Sequence, residues 1–250
     1  MKNLILMIQF FTRIPIKINV STSNEDFSRG IAYFPFVGLV VGLFNYGIYY
    51  LVTSFDQGIL GSIFWLISNI FITGAIHLDG LADTCDGLFS ARDKQRMLEI
   101  MKDSRIGTNG VIAIILDLIL RLGILYSLSY TAKAPAILLG PVVAKTLVLL
   151  LMGISKYART EGGMGGLFYS HMSLQRLIVG IASGVFIVLF FGSWKAIAAL
   201  ISSLIIILIF RKMVVDRIDG MTGDTLGAAS EVSEICFMAS LYLLERLVFL

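Results

Sequence analysis

Charge is scarce in this sequence. Only 15% of its 250 residues are Asp, Glu, Lys or Arg, where a soluble domain carries about 25%. That deficit excludes a soluble enzyme and a disordered chain alike. Cysteine is nearly absent. Cys85 and Cys236 form no Cys-x-x-Cys pair and sit in no metal-ligand pattern, which excludes a disulfide framework and a zinc site. The net charge of +3 is too small for a nucleic-acid binder and fits basic loops facing anionic lipid. What abounds is apolar: 57% of residues are hydrophobic and the mean hydropathy is +0.86. These residues come in continuous runs and do not alternate, so they read as helices and not as strands of a lipid-exposed barrel.

About seven runs are long enough to cross ~30 Å of hydrocarbon at 1.5 Å per residue. They cover residues 31–54, 58–78, 110–130, 134–154, 177–192, 194–210 and 235–249, the last three being short. The run at 4–11 is too short to span and lacks an Ala-x-Ala-like cleavage site, so it reads as an interfacial helix and not as a signal peptide. The expected fold is an all-α, polytopic bundle forming one domain over residues 1–250. With the N-terminus in the cytoplasm, 15 of the 20 Lys and Arg fall on the cytoplasmic side and only Lys133 and Lys195 on the other. That asymmetry orients the bundle. The acids keep to the same side, which places polar chemistry in three cytoplasmic segments, 79–109, 155–176 and 211–233.

Four segments could carry that chemistry. In His77-Leu78-Asp79-Gly80-Leu81-Ala82-Asp83-Thr84-Cys85-Asp86-Gly87 the acids recur at i, i+4 and i+7, within ~60° of one helical face. Three like charges there call for a cation, and oxygen-only ligands suit Mg²⁺. A helix cap plus a solvated acidic face is the blander account. Lys102-Asp103-Ser104-Arg105-Ile106-Gly107 combines glycine with two cations able to hold phosphate oxygens. Asp219-Gly220-Met221-Thr222-Gly223-Asp224, followed by Glu231 and Glu234, adds a second acidic cluster, with Asp224 either a ligand or an N-cap. Tyr157-Ala158-Arg159-Thr160-Glu161-Gly162-Gly163 is a glycine-rich lid or a plain linker. Inside the spans, Asp117 and Arg121 stand at i, i+4 and are expected to pair with each other, whereas Lys145 has no evident partner. His77 reads as a satisfied boundary histidine or a group behind the metal ligands.

These strings resemble the cobalamin synthase family, the adenosylcobinamide-GDP ribazoletransferases. Phe10-Phe11-Thr12-Arg13-Ile14-Pro15, Phe34-Pro35-Phe36-Val37-Gly38 and above all His77 to Gly87 carry the resemblance. Lys102 to Gly107, Ala158-Arg159 with Glu161-Gly162, and Thr222-Gly223-Asp224 with Leu226-Gly227-Ala228 complete it, in order along residues 8–234. Lys145 departs from the family pattern, where Arg is expected.

The resemblance implies a Mg²⁺-dependent enzyme of the bacterial inner membrane. It joins a nucleotide-activated corrinoid to α-ribazole or its 5′-phosphate and releases GMP. It implies Asp79, Asp83 and Asp86 as metal ligands, completed by Asp224 and Glu231. Asp103 and Asp83 are the rival bases, and Arg105 and Arg159 clamp phosphates. Lys102, Glu161, Asp219, Glu234 and Arg13 are the further substrate-binding candidates. The implied partners are these small molecules and the bilayer, with a homo-oligomer or a biosynthetic complex as further options. The alternatives are a CDP-alcohol phosphotransferase or prenyltransferase type of membrane transferase and, from another class, a cation transporter.

Overall fold

The computed structural model describes residues 2–18, 23–56, 58–159, 164–170 and 172–247. Helices α1 (Lys2–Phe11) and α2 (Asn24–Gly30) lead through a 3₁₀ turn into α3 (Phe34–Thr53). Then come α4 (Leu60–Thr73), α5 (Ile76–Leu88), α6 (Lys94–Ile100), α7 (Thr108–Ser127) and α8 (Tyr130–Ile154). The last four are α9 (Met164–Tyr169), α10 (Leu174–Phe191), α11 (Trp194–Ile218) and α12 (Gly223–Leu247). Among the described residues no strand forms beyond one isolated bridge, Tyr157 to Met221. Six stretches are long and apolar enough to cross a membrane, the first running from Glu25 through Thr53. The α4–α5 pair is a seventh if it counts as one broken span. The chain is a multi-pass, all-α membrane bundle.

Helix α8 is its axis. Of its most apolar window 78% is buried, packed among α3, α10 and α12. The outer helices turn large apolar side chains outward, such as Ile115 and Ile119 of α7, Phe186 and Phe190 of α10 and Ile205 and Ile209 of α11, the pattern of a lipid-facing surface. Buried amides bridge helices where no water can serve them: Asn45 Nδ2 of α3 donates to Asn69 Oδ1 of α4 at 2.9 Å.

Four sequence expectations need correction. The span expected at 58–78 breaks at residue 74. Gly74 (φ 61°) and Ala75 (φ 59°) both lie in the left-handed region, and α5 leaves α4 at 86°. The acids after the break therefore stand on an ordered helix, not in a cytoplasmic loop. The last span begins not at 235 but at Gly223, so Glu231 and Glu234 lie inside a membrane-crossing helix. Most of the loop expected at 211–233 is likewise helical, only residues 219–222 separating α11 from α12. Finally, α1 does not lie on the lipid surface alone. It buries Leu6 and Met7 and packs against α2 and α3.

Candidate active site

The site is built where α5 meets the first turns of α12. The left-handed pair at 74–75 aims α5 across the bundle; at Gly74 this conformation is cheap, and at Ala75 it is a strain of the kind stored at functional sites. The two helices then touch backbone to backbone. A Cβ on Gly80 would stand 2.7 Å from the Asp224 carbonyl oxygen, so only glycine permits this crossing. Its consequence is to set Asp79 and Asp83 beside Asp224. Gly80→Ala should push the helices apart and lower turnover at least tenfold, about 1.4 kcal/mol of transition-state stabilisation. Steady-state kinetics on monodisperse protein checks this, and parent-like turnover would refute the role of the crossing.

Asp224 does not cap its own helix. Thr222 and Thr225 do so reciprocally, Thr222 N–H donating to Thr225 Oγ1 at 2.8 Å and Thr225 N–H to Thr222 Oγ1 at 3.2 Å. That leaves the Asp224 side chain to the site, where Arg159 Nη2 donates to its Oδ2 at 2.6 Å. Arg159 is delivered there by two backbone bonds tying the segment before it to the α11–α12 turn, Ala158 N to Met221 O at 2.9 Å and Met221 N to Lys156 O at 2.8 Å. Its side chain is 9% exposed, and its Nε is buried with no partner among the described residues. Asp83 stands within electrostatic reach of Asp79, Asp224 and Asp86, with Arg159 the one cation acting on it among the described residues.

Asp86, grouped with the metal ligands by its spacing, does something else. Its oxygens accept from Gly107 N–H at 2.7 Å and Gly110 N–H at 2.8 Å, which fastens α5 to the N-terminus of α7. No group of three or more His, Cys, Asp or Glu among the described residues converges tightly enough to hold a metal ion unaided. The oxygen-only set of Asp79, Asp83 and Asp224 nevertheless matches how Mg²⁺ is held, through one or two carboxylates with water and substrate phosphate completing the shell.

Asp79, Arg159 and Asp224 line a cavity of about 330 Å³, and Phe10, Phe11, Phe34 and Phe168 contribute to its apolar wall. His77 and Lys145 form its floor. Lys145 Nζ lies 2.8 Å from His77 Nε2 and donates to Ser230 Oγ at 3.0 Å, the partners the sequence did not reveal. Beneath them Arg121 anchors a buried ion cluster. Its Nε donates to Asp117 Oδ2 at 2.9 Å, as the i, i+4 spacing suggests. Its Nη2 also bonds Glu231, and its Nη1 stands 3.1 Å from Glu234 Oε1. Glu231, expected among the metal ligands, and Glu234, expected to bind substrate, are thus partners of Arg121.

The remaining candidates lie elsewhere. Asp103 and Arg105 bond each other at 2.6 Å outside the cavity. Hydrogen bonds from the Arg105 side chain and backbone hold the Asp103 carboxyl down to about 2, which ill suits a base at neutral pH. Asp219 ends α11 in a left-handed conformation and pairs with Lys94 at 2.9 Å. Lys102 lines a wider cleft of about 740 Å³ with Lys94 and Glu99; it meets the first cavity only at Arg159. Arg13 lies against Gly74 at the bend. Thr160, Glu161, Gly162 and Gly163 lie outside the described residues. Sequence reasoning assigned no role to the four phenylalanines; the Phe10-Phe11 pair on an otherwise apolar N-terminal helix was the one available signal.

The chain is similar to known proteins along nearly its whole length. A family profile described as Cobalamin-5-phosphate synthase matches residues 3–242. A relative from Clostridium novyi (strain NT), named adenosylcobinamide-GDP ribazoletransferase, is 52% identical over 241 residues, 96% of either chain. One of the same name from Clostridioides difficile (strain 630) is 38% identical over 259 aligned positions, all of both chains. No solved structure matches.

Proposed function

The chain belongs to the cobalamin-5-phosphate synthase family, and from that premise we propose how its site performs the transfer. It is a membrane-embedded transferase of cobalamin synthesis. In our reading it joins adenosylcobinamide-GDP to α-ribazole or its 5′-phosphate and faces the cytoplasm. The observation that carries this reading is the meeting of Asp79, Asp224 and Arg159 in the wall of a single cavity, with Asp83 within electrostatic reach of all three.

The ribose hydroxyl of the acceptor attacks the corrinoid-side phosphorus of the pyrophosphate. One P–O bond forms, the P–O bond to GMP breaks, and the hydroxyl proton passes to Asp83. Arg159 is placed to hold phosphate oxygens through its unpartnered Nε, charge stabilisation that matters most where little water enters. Asp103 is tied to Arg105 and does not compete for the proton. Asp79 and the free Oδ1 of Asp224 would hold Mg²⁺, which when bound neutralises charge on the phosphate oxygens. Lys145 and His77 keep the floor polar yet closed to bulk water.

The test is product formation. Purified protein given adenosylcobinamide-GDP, α-ribazole and Mg²⁺ should release GMP, and exhaustive chelation should stop it. Absence of GMP with both substrates present would overturn the substrates, and full activity after chelation would overturn the metal. Orientation has its own check. Gln95→Cys and Phe55→Cys, at opposite ends of the bundle and both exposed, should label from opposite sides of sealed vesicles, the former from the cytoplasmic side.

A further inference from the structure

The polar end of the cavity is accounted for by phosphoryl transfer, but most of its wall is not. Phe10 and Phe11 of α1, Phe34 at the start of α3 and Phe168 of α9 form a continuous ring-lined surface. Phe168 meets Phe10 at 5.4 Å and Phe34 at 5.5 Å edge-on, and lies nearly parallel to Phe11 at 6.0 Å. Phe11 also lies nearly parallel to the His77 ring, at 6.0 Å and 11°, with Lys145 Nζ 5.5 Å from the Phe11 centroid. Phe34 and Phe168 belong to the hydrophobic core and Phe10 and Phe11 pack against it, yet these rings also border an open space. At about 330 Å³ that space lies at the low end of ligand pockets, ~300–1,000 Å³. That size is nearer to one nucleoside than to a macrocycle carrying a nucleotide.

We propose that this slot binds the flat aromatic base of the nucleoside acceptor against Phe11 and Phe168, with its ribose directed to Asp79, Asp224 and Arg159, while the corrinoid stays outside. This rests on the transferase reading above and assigns the acceptor's place within it. The match is one of polarity: the cavity joins an aromatic wall to hydrogen-bonding groups, and a nucleoside likewise joins a flat aromatic base to a ribose rich in hydroxyls. Stacking on protein rings is also sequence-tolerant recognition, worth about 1–3 kcal/mol per base, which would select for a π-face before any particular substituent. The rival occupant of such a slot is a lipid acyl chain.

Phe11→Leu removes the ring and keeps apolar bulk; Phe11→Tyr keeps the ring. Calorimetric titration of the full-length, detergent-purified chain with α-ribazole alone, without corrinoid, should show saturable binding to the parent. Phe11→Leu should weaken that binding roughly tenfold and raise the KM for α-ribazole by a similar factor, as losing one stacking partner predicts. The KM for adenosylcobinamide-GDP should stay within about twofold, and Phe11→Tyr should restore α-ribazole binding, because the ring and not the residue is what the base meets. If Phe11→Leu does not yield monodisperse protein, Phe168→Leu carries the same forecast.

The proposal is overturned if the parent releases GMP yet does not bind α-ribazole, if the corrinoid's KM moves and the nucleoside's does not, or if both stay unchanged. It is also overturned if a tightly held phospholipid occupies the cavity and α-ribazole cannot displace it. A parent that binds α-ribazole but releases no GMP refutes the transferase reading and leaves the slot standing, so the two failures are distinct.

Discussion

Asp83→Asn should reduce GMP release by about a thousandfold or more while leaving the protein folded. The substitution keeps side-chain size and removes one negative charge. Asp83 is repelled by Asp79, Asp224 and Asp86, with Arg159 as the opposing cation among the described residues, so losing that charge relieves repulsion, and the melting temperature should hold or rise. Turnover falls because an amide cannot take the hydroxyl proton and offers less to a bound cation; losses at such positions run to several orders of magnitude. Two controls sharpen the result. Asp103→Asn should stay within about threefold, since Asp103 bonds only Arg105 and faces solvent, where paired charges contribute little. Cys85→Ala, on the same helix but turned from the acidic face by ~100° per residue, should also survive. The measurement is GMP formed per mole of monodisperse protein. An Asp83→Asn enzyme keeping more than about a tenth of parental turnover, a loss under ~1.4 kcal/mol, removes Asp83 from the chemistry.

The acidic helix was legible because period and charge act locally. Asp79 and Asp83 share a face at i, i+4, and α5 presents both to the site. Asp86 shares that face too, yet its carboxylate is taken by Gly107 and Gly110 amides more than 20 residues away, a pairing no local pattern encodes. The break at Gly74–Ala75 was hidden for a related reason. Apolar residues continue through it from Leu60 to Leu78, and hydropathy records composition, not direction. The start of α12 was missed because Asp224, Glu231 and Glu234 interrupt its apolar run. A sum over residues cannot know that Arg121 of another helix neutralises two of them. The aromatic wall is less visible still, since Phe11 and Phe168 meet across 157 positions of chain.

Those buried acids also bear on the transporter alternative, which expects ionisable groups deep in the bundle. Asp117, Glu231 and Glu234 are deep, but all converge on one immobile cation. Arg121 is 1% exposed and never gives up its charge. The cluster reads as a clamp between α7 and α12 that holds the latter's first turns, and hence Asp224, in register with α5.

Arg121→Met should therefore prevent folding and not merely slow the reaction. It leaves Asp117, Glu231 and Glu234 buried, with Lys145 as the remaining cation among the described residues that acts on Glu231 and Glu234. Removing one partner of a buried ion pair costs about 3–5 kcal/mol, a large share of the ~5–15 kcal/mol that holds a protein folded. The expected result is aggregated or degraded protein after detergent extraction. Charge bookkeeping supplies the rescue. Adding Asp117→Asn and Glu231→Gln to Arg121→Met leaves Glu234 against Lys145, one charge of each sign, in side chains of nearly parental size. That triple variant should recover monodisperse protein and, because the cluster lies beneath the cavity and touches no substrate, turnover within about tenfold of the parent, a deficit of up to ~1.4 kcal/mol. Size-exclusion profiles, thermal melts and GMP assays on the three proteins decide the matter. Should Arg121→Met fold with an unchanged melting temperature and lose only activity, Arg121 is a substrate-binding group and Glu231 and Glu234 return to the active site.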